Sequence, residues 1–281
     1  MGIVMTAFSA AAAVGVPFGL RLAQDFRWEA PFFMLAGIAG GVWAIAFLRL
    51  PAVRGHLENG HARRAFAELL TDGNAGRALL FMATMVLGHF AIIPLLSPYL
   101  VANAGLPERD LFLVYFTGGV LTVFTAPVIG RLADRLGRFR VFAALVSVAC
   151  IVTLAITHSG RRPVWAVLVL AGLFFVFASG RFVPGQAIMT LAVPASRRGA
   201  FMSLSGVARD LTMGVASSLG GWIVAKAPSG ELLNFHWLGW MAVVASIASV
   251  SLAGRVRVNE ATGLKPVRAD AFAERPLEPQ T

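Results

Sequence analysis

Apolar residues run along this chain in long uninterrupted stretches separated by short polar connections. Eight runs have the length of a bilayer-crossing helix: residues 2 to 23, 31 to 50, 77 to 101, 109 to 130, 139 to 157, 163 to 192, 199 to 225 and 232 to 254. A crossing needs about 20 apolar residues, whereas a membrane β-barrel would show segments of about 10 residues with alternating polarity. That alternation is absent, so the pattern predicts an all-α integral membrane protein of about eight transmembrane helices. The sixth run is long and broken by Gly180, Pro184 and Gly185.

Composition agrees with the pattern. Of 281 residues, 57% are hydrophobic and 14% charged, with a mean hydropathy of +0.74. Soluble domains carry about 25% charged residues, so a solvated surface could not be built from this chain. The net charge of +10 comes from 24 basic residues against 14 acidic ones. It gathers in the connections rather than in a patch interleaved with aromatics, which points to a membrane face and away from nucleic acid. One side, comprising 51 to 76, 131 to 138, 193 to 198 and the tail, holds 16 Lys and Arg with its flanking span ends; the other side holds six. The positive-inside rule then predicts that both termini are cytoplasmic. The lone Cys150 excludes an intramolecular disulfide.

Four ionisable residues fall inside spans: His89, Arg181, Arg209 and Asp210. A charge at mid-bilayer costs about 2.5–3.5 kcal/mol on insertion scales, so each calls for a partner or a function. One reading has them line a polar cavity, Asp210 or His89 exchanging a proton while the arginines hold anionic or hydroxyl groups of a substrate. The other makes them a fixed network that locks helices. No phosphate-binding loop, metal-ligand spacing or nucleophile set is present, so no enzyme, cofactor or metal is expected.

Residues 51 to 76, with Phe66, Leu69 and Leu70 at helical spacing among charges, are expected to form an interfacial amphipathic linker. The tail from 255 to 281 is expected to be disordered and cytoplasmic. The first span resembles the seventh at an offset of 199 residues, the spacing of two six-helix halves. Four further helices are therefore expected before Met1.

The connection between the fourth and fifth runs reads Gly130-Arg131-Leu132-Ala133-Asp134-Arg135-Leu136-Gly137-Arg138-Phe139-Arg140. It resembles the loop signature of the major facilitator superfamily: glycine, three residues, aspartate, a base, one residue, glycine, arginine, base. Phe139 stands where a base is usual, with Arg140 one place on. Other stretches, including Gly15-Val16-Pro17-Phe18-Gly19, Gly88-His89-Phe90, Gly180-Arg181-Phe182-Val183-Pro184 and the run from Arg198 to Leu204, resemble the bacterial sugar-efflux and drug-efflux (arabinose efflux permease-like) branch.

The resemblance implies that the runs correspond to helices five to twelve of a twelve-helix transporter: residues 1–50 the last two helices of the first bundle, 51–76 a linker, 77–254 the second bundle. It implies a conformational-switch loop at Gly130, Asp134, Arg135, Gly137 and Arg138, and a helix-packing motif at Gly15, Pro17 and Gly19. The expected activity is proton-coupled efflux (antiport) of a small organic molecule by alternating access in the bacterial inner membrane, with the lipid bilayer, substrate and protons as partners. A second reading is a truncated, non-transporting remnant or interaction scaffold. A homodimer covering exposed helices is left open.

Overall fold

A computed structural model describes residues 15–49, 68–69 and 71–257, without the side chains of Val16, Pro17 and Gln24. The first half of the expected span 2–23, most of the expected linker 51–76 and the tail from 258 lie outside these residues. The described chain is helical except for one small hairpin. Its helices are α1 (Val16–Asp25), α2 (Ala30–Arg49), α3 (Gly73–Phe90), α4 (Ile93–Ala102), α5 (Leu111–Leu136), α6 (Arg138–Thr157), α7 (Val164–Phe174), α8 (Phe182–Leu191), α9 (Arg198–Ile223) and α10 (Phe235–Ala253).

Six stretches are long and apolar enough to cross a membrane: Ala30–Arg49, Gly73–Ala102, Glu108–Leu136, Arg138–Thr157, Val164–Leu191 and Phe235–Ala253. The expected span 199–225 is α9, 26 residues long, or about 39 Å at 1.5 Å per residue. Its length suffices to cross, but Arg209, Asp210 and four serines make it more polar than the six.

Two expected spans are interrupted. Between α3 and α4 the chain turns at Ala91 and Ile92, because Pro94 lacks an amide and its ring would strike the carbonyl one turn back. Between α7 and α8 the helix widens into a π turn, Phe175–Ser179, immediately before Gly180. Elsewhere the helices satisfy themselves, as lipid requires. In α5 the hydroxyls of Thr117, Thr122 and Thr125 donate to the carbonyls of Leu113, Gly118 and Leu121, one turn back.

Helices α3 to α10 pack into one bundle, in which α10 lies against α3 and α6, and α9 lies against α3. α1 touches the bundle at α5, and α2 packs chiefly on α1. No residue of α2 is buried, and Phe33, Trp43, Phe47 and Leu48 stand exposed along it.

Two ends of the bundle are tied by asparagines. Asn74 Nδ2 donates to the carbonyls of Ala192 (2.8 Å) and Arg257 (2.9 Å), and its Oδ1 accepts from the Arg257 amide (2.8 Å). At the other end Asn103 brackets Leu232, donating to its carbonyl at 3.0 Å and accepting from its amide at 2.9 Å. Leu232 belongs to the hairpin β1 (Ala225–Lys226) and β2 (Leu232–Leu233), which lay unread in the last expected connection and delays the final helix to Phe235. Leu69, expected on an interfacial stripe, is 1% exposed and packs in the core with Ala75 and Phe201.

Candidate functional site

The interior divides into two apolar clusters, one around Ile92, Leu96, Phe174 and Phe235, the other around Phe81, Met85, Phe142 and Met189. His89, Arg181 and Ser246 lie where they meet. His89 falls between Val86 of one cluster and Ile92 of the other, Arg181 between Ala178 and Ile188, and Ser246 between Ala242 and Ala253.

Arg181 follows the π turn and is 2% exposed. Its Nη1 donates to Ser246 Oγ at 2.7 Å and its Nη2 to the Met85 carbonyl at 3.3 Å, while Nε has no partner. Among the described residues no carboxylate pairs with it, so neutral oxygens carry the solvation of a buried guanidinium, whose delocalised charge is the cheapest of the cationic side chains to dehydrate. Two glycines shape the seat. A Cβ on Gly88 would lie 2.9 Å from the Ala242 carbonyl oxygen and 3.0 Å from Ser246 Oγ, so only glycine lets α3 and α10 approach closely enough to bring Ser246 to Arg181. A Cβ on Gly180 would lie 2.6 Å from Ile129 Cδ1, which sets the break of α7 and α8 against α5.

His89 is 7% exposed. Its ring lies parallel to Phe174 with centroids 5.6 Å apart, and meets Phe182 and Phe90 edge-on at 5.2 Å and 5.4 Å. Its Nδ1 has no hydrogen-bond partner.

The other two residues stand apart from this cluster. Arg209 Nε donates to Asp210 Oδ1 at 3.1 Å, with side-chain exposures of 51% and 68%. Asp210 is 12 residues beyond the start of α9, or about 18 Å along the axis. The described residues show no hydrogen bond or ion pair between this pair and the His89–Arg181 cluster. The four residues thus form two sites, one sealed inside the bundle and one open on its face.

The loop from Gly130 joins α5 directly to α6 through Gly137, whose φ of +95° lies in the region that favours glycine. Arg138 Nη2 sits 3.7 Å from Asp134 Oδ1, one turn away, and its Nε is buried without a partner. Arg135 is exposed in the last turn of α5. A Cβ at Gly130 would reach Val183 Cγ1 only at 3.8 Å, ordinary contact. In the packing motif, Gly15 is exposed, and Gly19 faces Pro31, whose Cβ a side chain there would meet at 3.9 Å; the Pro17 side chain lies outside the described residues.

Ser246 and Gly88 escaped the sequence reading. Their signal was the small-residue stripe Ala242, Ala245, Ser246, Ser249 and Ala253 on α10, which marks a close helix contact.

Comparison with known proteins bears on this architecture. The family model described as Major Facilitator Superfamily matches residues 1–176 and 78–279. A relative described as "Putative transporter AraJ", from Escherichia coli (strain K12), is 23% identical over 255 residues, covering 88% of this chain and 61% of the relative. The chain therefore spans about three fifths of that relative's length. With a loop of the expected signature joining two spanning helices, and a family match over most of its length, the chain belongs to the Major Facilitator Superfamily, a family of membrane transporters rather than enzymes.

Proposed function

We propose that the chain serves in proton-coupled efflux of a small organic molecule, with Asp210 as the proton-exchanging group and Arg209 beside it on the substrate pathway. The observation that carries this reading is an ion pair half or more exposed at the middle of a helix of span length. Charges at that depth are tolerated where they face a water-filled cavity, and there a carboxylate can gain and lose a proton as the cavity opens to either side. A neighbouring guanidinium favours the charged carboxylate; a substrate anion that draws the guanidinium away would ease protonation.

In this reading α1 and α2 stand for the last two helices of one bundle and α3 to α10 for the other. The Asp134–Arg138 contact breaks and reforms as the bundles rock, and the arginine-rich end faces the cytoplasm of a bacterial inner membrane. His89 and Arg181 stiffen the second bundle from within. The test is transport by the protein in proteoliposomes under an imposed proton gradient. Asp210→Asn is expected to abolish gradient-driven flux while leaving folding intact, and flux equal to wild type in a normally folded variant sinks the role given to Asp210.

A further inference from the structure

The antiparallel pair α6 and α10 is packed along its whole length. At one end a Cβ on Gly239 would collide with Thr157; at the other, a Cβ on Gly254 would lie 3.4 Å from the Phe139 ring. The second contact has an electrostatic consequence. Arg138 and Arg140 flank Phe139 in sequence and Arg255 follows Gly254, so the seam between the two helices ends among guanidinium groups. Across residues 131–140 and 254–257 there are six arginines and one carboxylate, Asp134. That carboxylate meets Arg138 at 3.7 Å, and Arg138 Nε is buried with no partner. Arg140 and Arg255 are exposed.

Along the same two helices the outward faces are apolar. Ile151 of α6 is 69% exposed, and Val244 and Ile247 of α10 are 66% and 57% exposed. An apolar flank that ends in a cluster of positive charge matches one kind of molecule, an amphiphile with hydrocarbon chains and an anionic head.

We propose that the seam between α6 and α10 is a binding site for an anionic phospholipid, its phosphate held by Arg140, Arg255 and the free edge of Arg138, and its acyl chains laid along Ile151, Val244 and Ile247. The N-terminus of α6 adds the positive end of a 20-residue helix at the headgroup. The site is independent of the route that a transported substrate takes, so it stands or falls separately from the role of Asp210.

The experiment is native mass spectrometry of the purified full chain with added phosphatidylglycerol or phosphatidylcholine. Arg140→Gln with Arg255→Gln leaves the Asp134–Arg138 contact in place. With about a fivefold loss for each arginine near a headgroup, the double variant is expected to bind phosphatidylglycerol about 25-fold more weakly and phosphatidylcholine unchanged. Arg161→Gln with Arg162→Gln removes the same charge at the opposite end of the bundle and is expected to keep phosphatidylglycerol binding. Excess inorganic phosphate is expected not to displace the lipid. Undiminished phosphatidylglycerol binding in the first variant overturns the proposal. Equal losses in both variants, equal losses of both lipids, or displacement by inorganic phosphate overturn it too.

Discussion

Arg181 and Ser246, 65 positions apart in the chain, are joined by a 2.7 Å hydrogen bond inside the bundle, from guanidinium Nη1 to the serine hydroxyl. The bond links the break after α7 to the middle of α10 and is the shorter of the two hydrogen bonds that Arg181 makes. Because the cation has no carboxylate partner among the described residues, its stability rests on such neutral acceptors.

Removing that acceptor strands a charge. Ser246→Ala is expected to destabilise the protein by about 2 kcal/mol, the worth of a hydrogen bond to a charged group. Ser249→Ala, whose hydroxyl donates only to the Ser246 carbonyl of its own helix at 2.6 Å, should cost under ~1 kcal/mol. Combining Ser246→Ala with Arg181→Met is expected to recover part of the loss, since an apolar side chain of similar volume removes the stranded charge. Thermal unfolding of the four proteins in detergent checks the order. A double variant less stable than Ser246→Ala alone would show that Arg181 contributes more by its other contacts.

Two glycines with different surroundings should answer differently to the same substitution. Gly88→Ala places a methyl group 2.9 Å from a backbone oxygen that cannot swing aside, and overpacking of this kind costs about 1–3 kcal/mol. Gly130→Ala meets Val183 at an ordinary 3.8 Å and gains about 1 kcal/mol of helix propensity. Its stability is expected to hold or rise. The measurement is the midpoint of unfolding for each variant, and equal shifts would contradict the packing described for α3 and α10.

The loop between α5 and α6 separates a conformational demand from an electrostatic one. Gly137→Ala forces a side chain onto a φ of +95° and is expected to cost about 1–2 kcal/mol, with faster tryptic cleavage at Arg135 and Arg138. Asp134→Asn removes an exposed contact of 3.7 Å between residues four apart, worth about 0.3–0.5 kcal/mol at most. A near-normal unfolding midpoint with reduced flux in Asp134→Asn would assign that carboxylate to switching; normal flux would remove it from that role.

Much of this architecture is written in the order of residues. The apolar runs give the membrane helices, and the Gly130 to Arg138 spacing gives the loop, because both signals are local. The charges at His89, Arg181, Arg209 and Asp210 stand out for the same reason: each is an expense within an apolar run. Their grouping is not local. Whether Arg181 faces Asp210 or Ser246 depends on how α8, α9 and α10 are rotated against α3, and the residue that fixes this, Gly88, differs from other helix glycines only in what lies opposite it. The turn at Ala91 was within reach, since Pro94 forbids a continuous ladder; the hairpin at 225–233 rests on the side chain of Asn103, more than 120 residues away.

The π turn at Phe175–Ser179 has a consequence for how this helix can change. Successive residues of a helix are about 100° apart around its axis, so the number of residues between Phe174 and Arg181 sets the compass bearing of everything after it. Deleting one residue there would tighten the turn toward an ordinary helix and swing Arg181 from Ser246 toward another neighbour. Homologous chains that differ in length by one residue in this segment would therefore present a different face of α8 to the interior, even with every other residue kept.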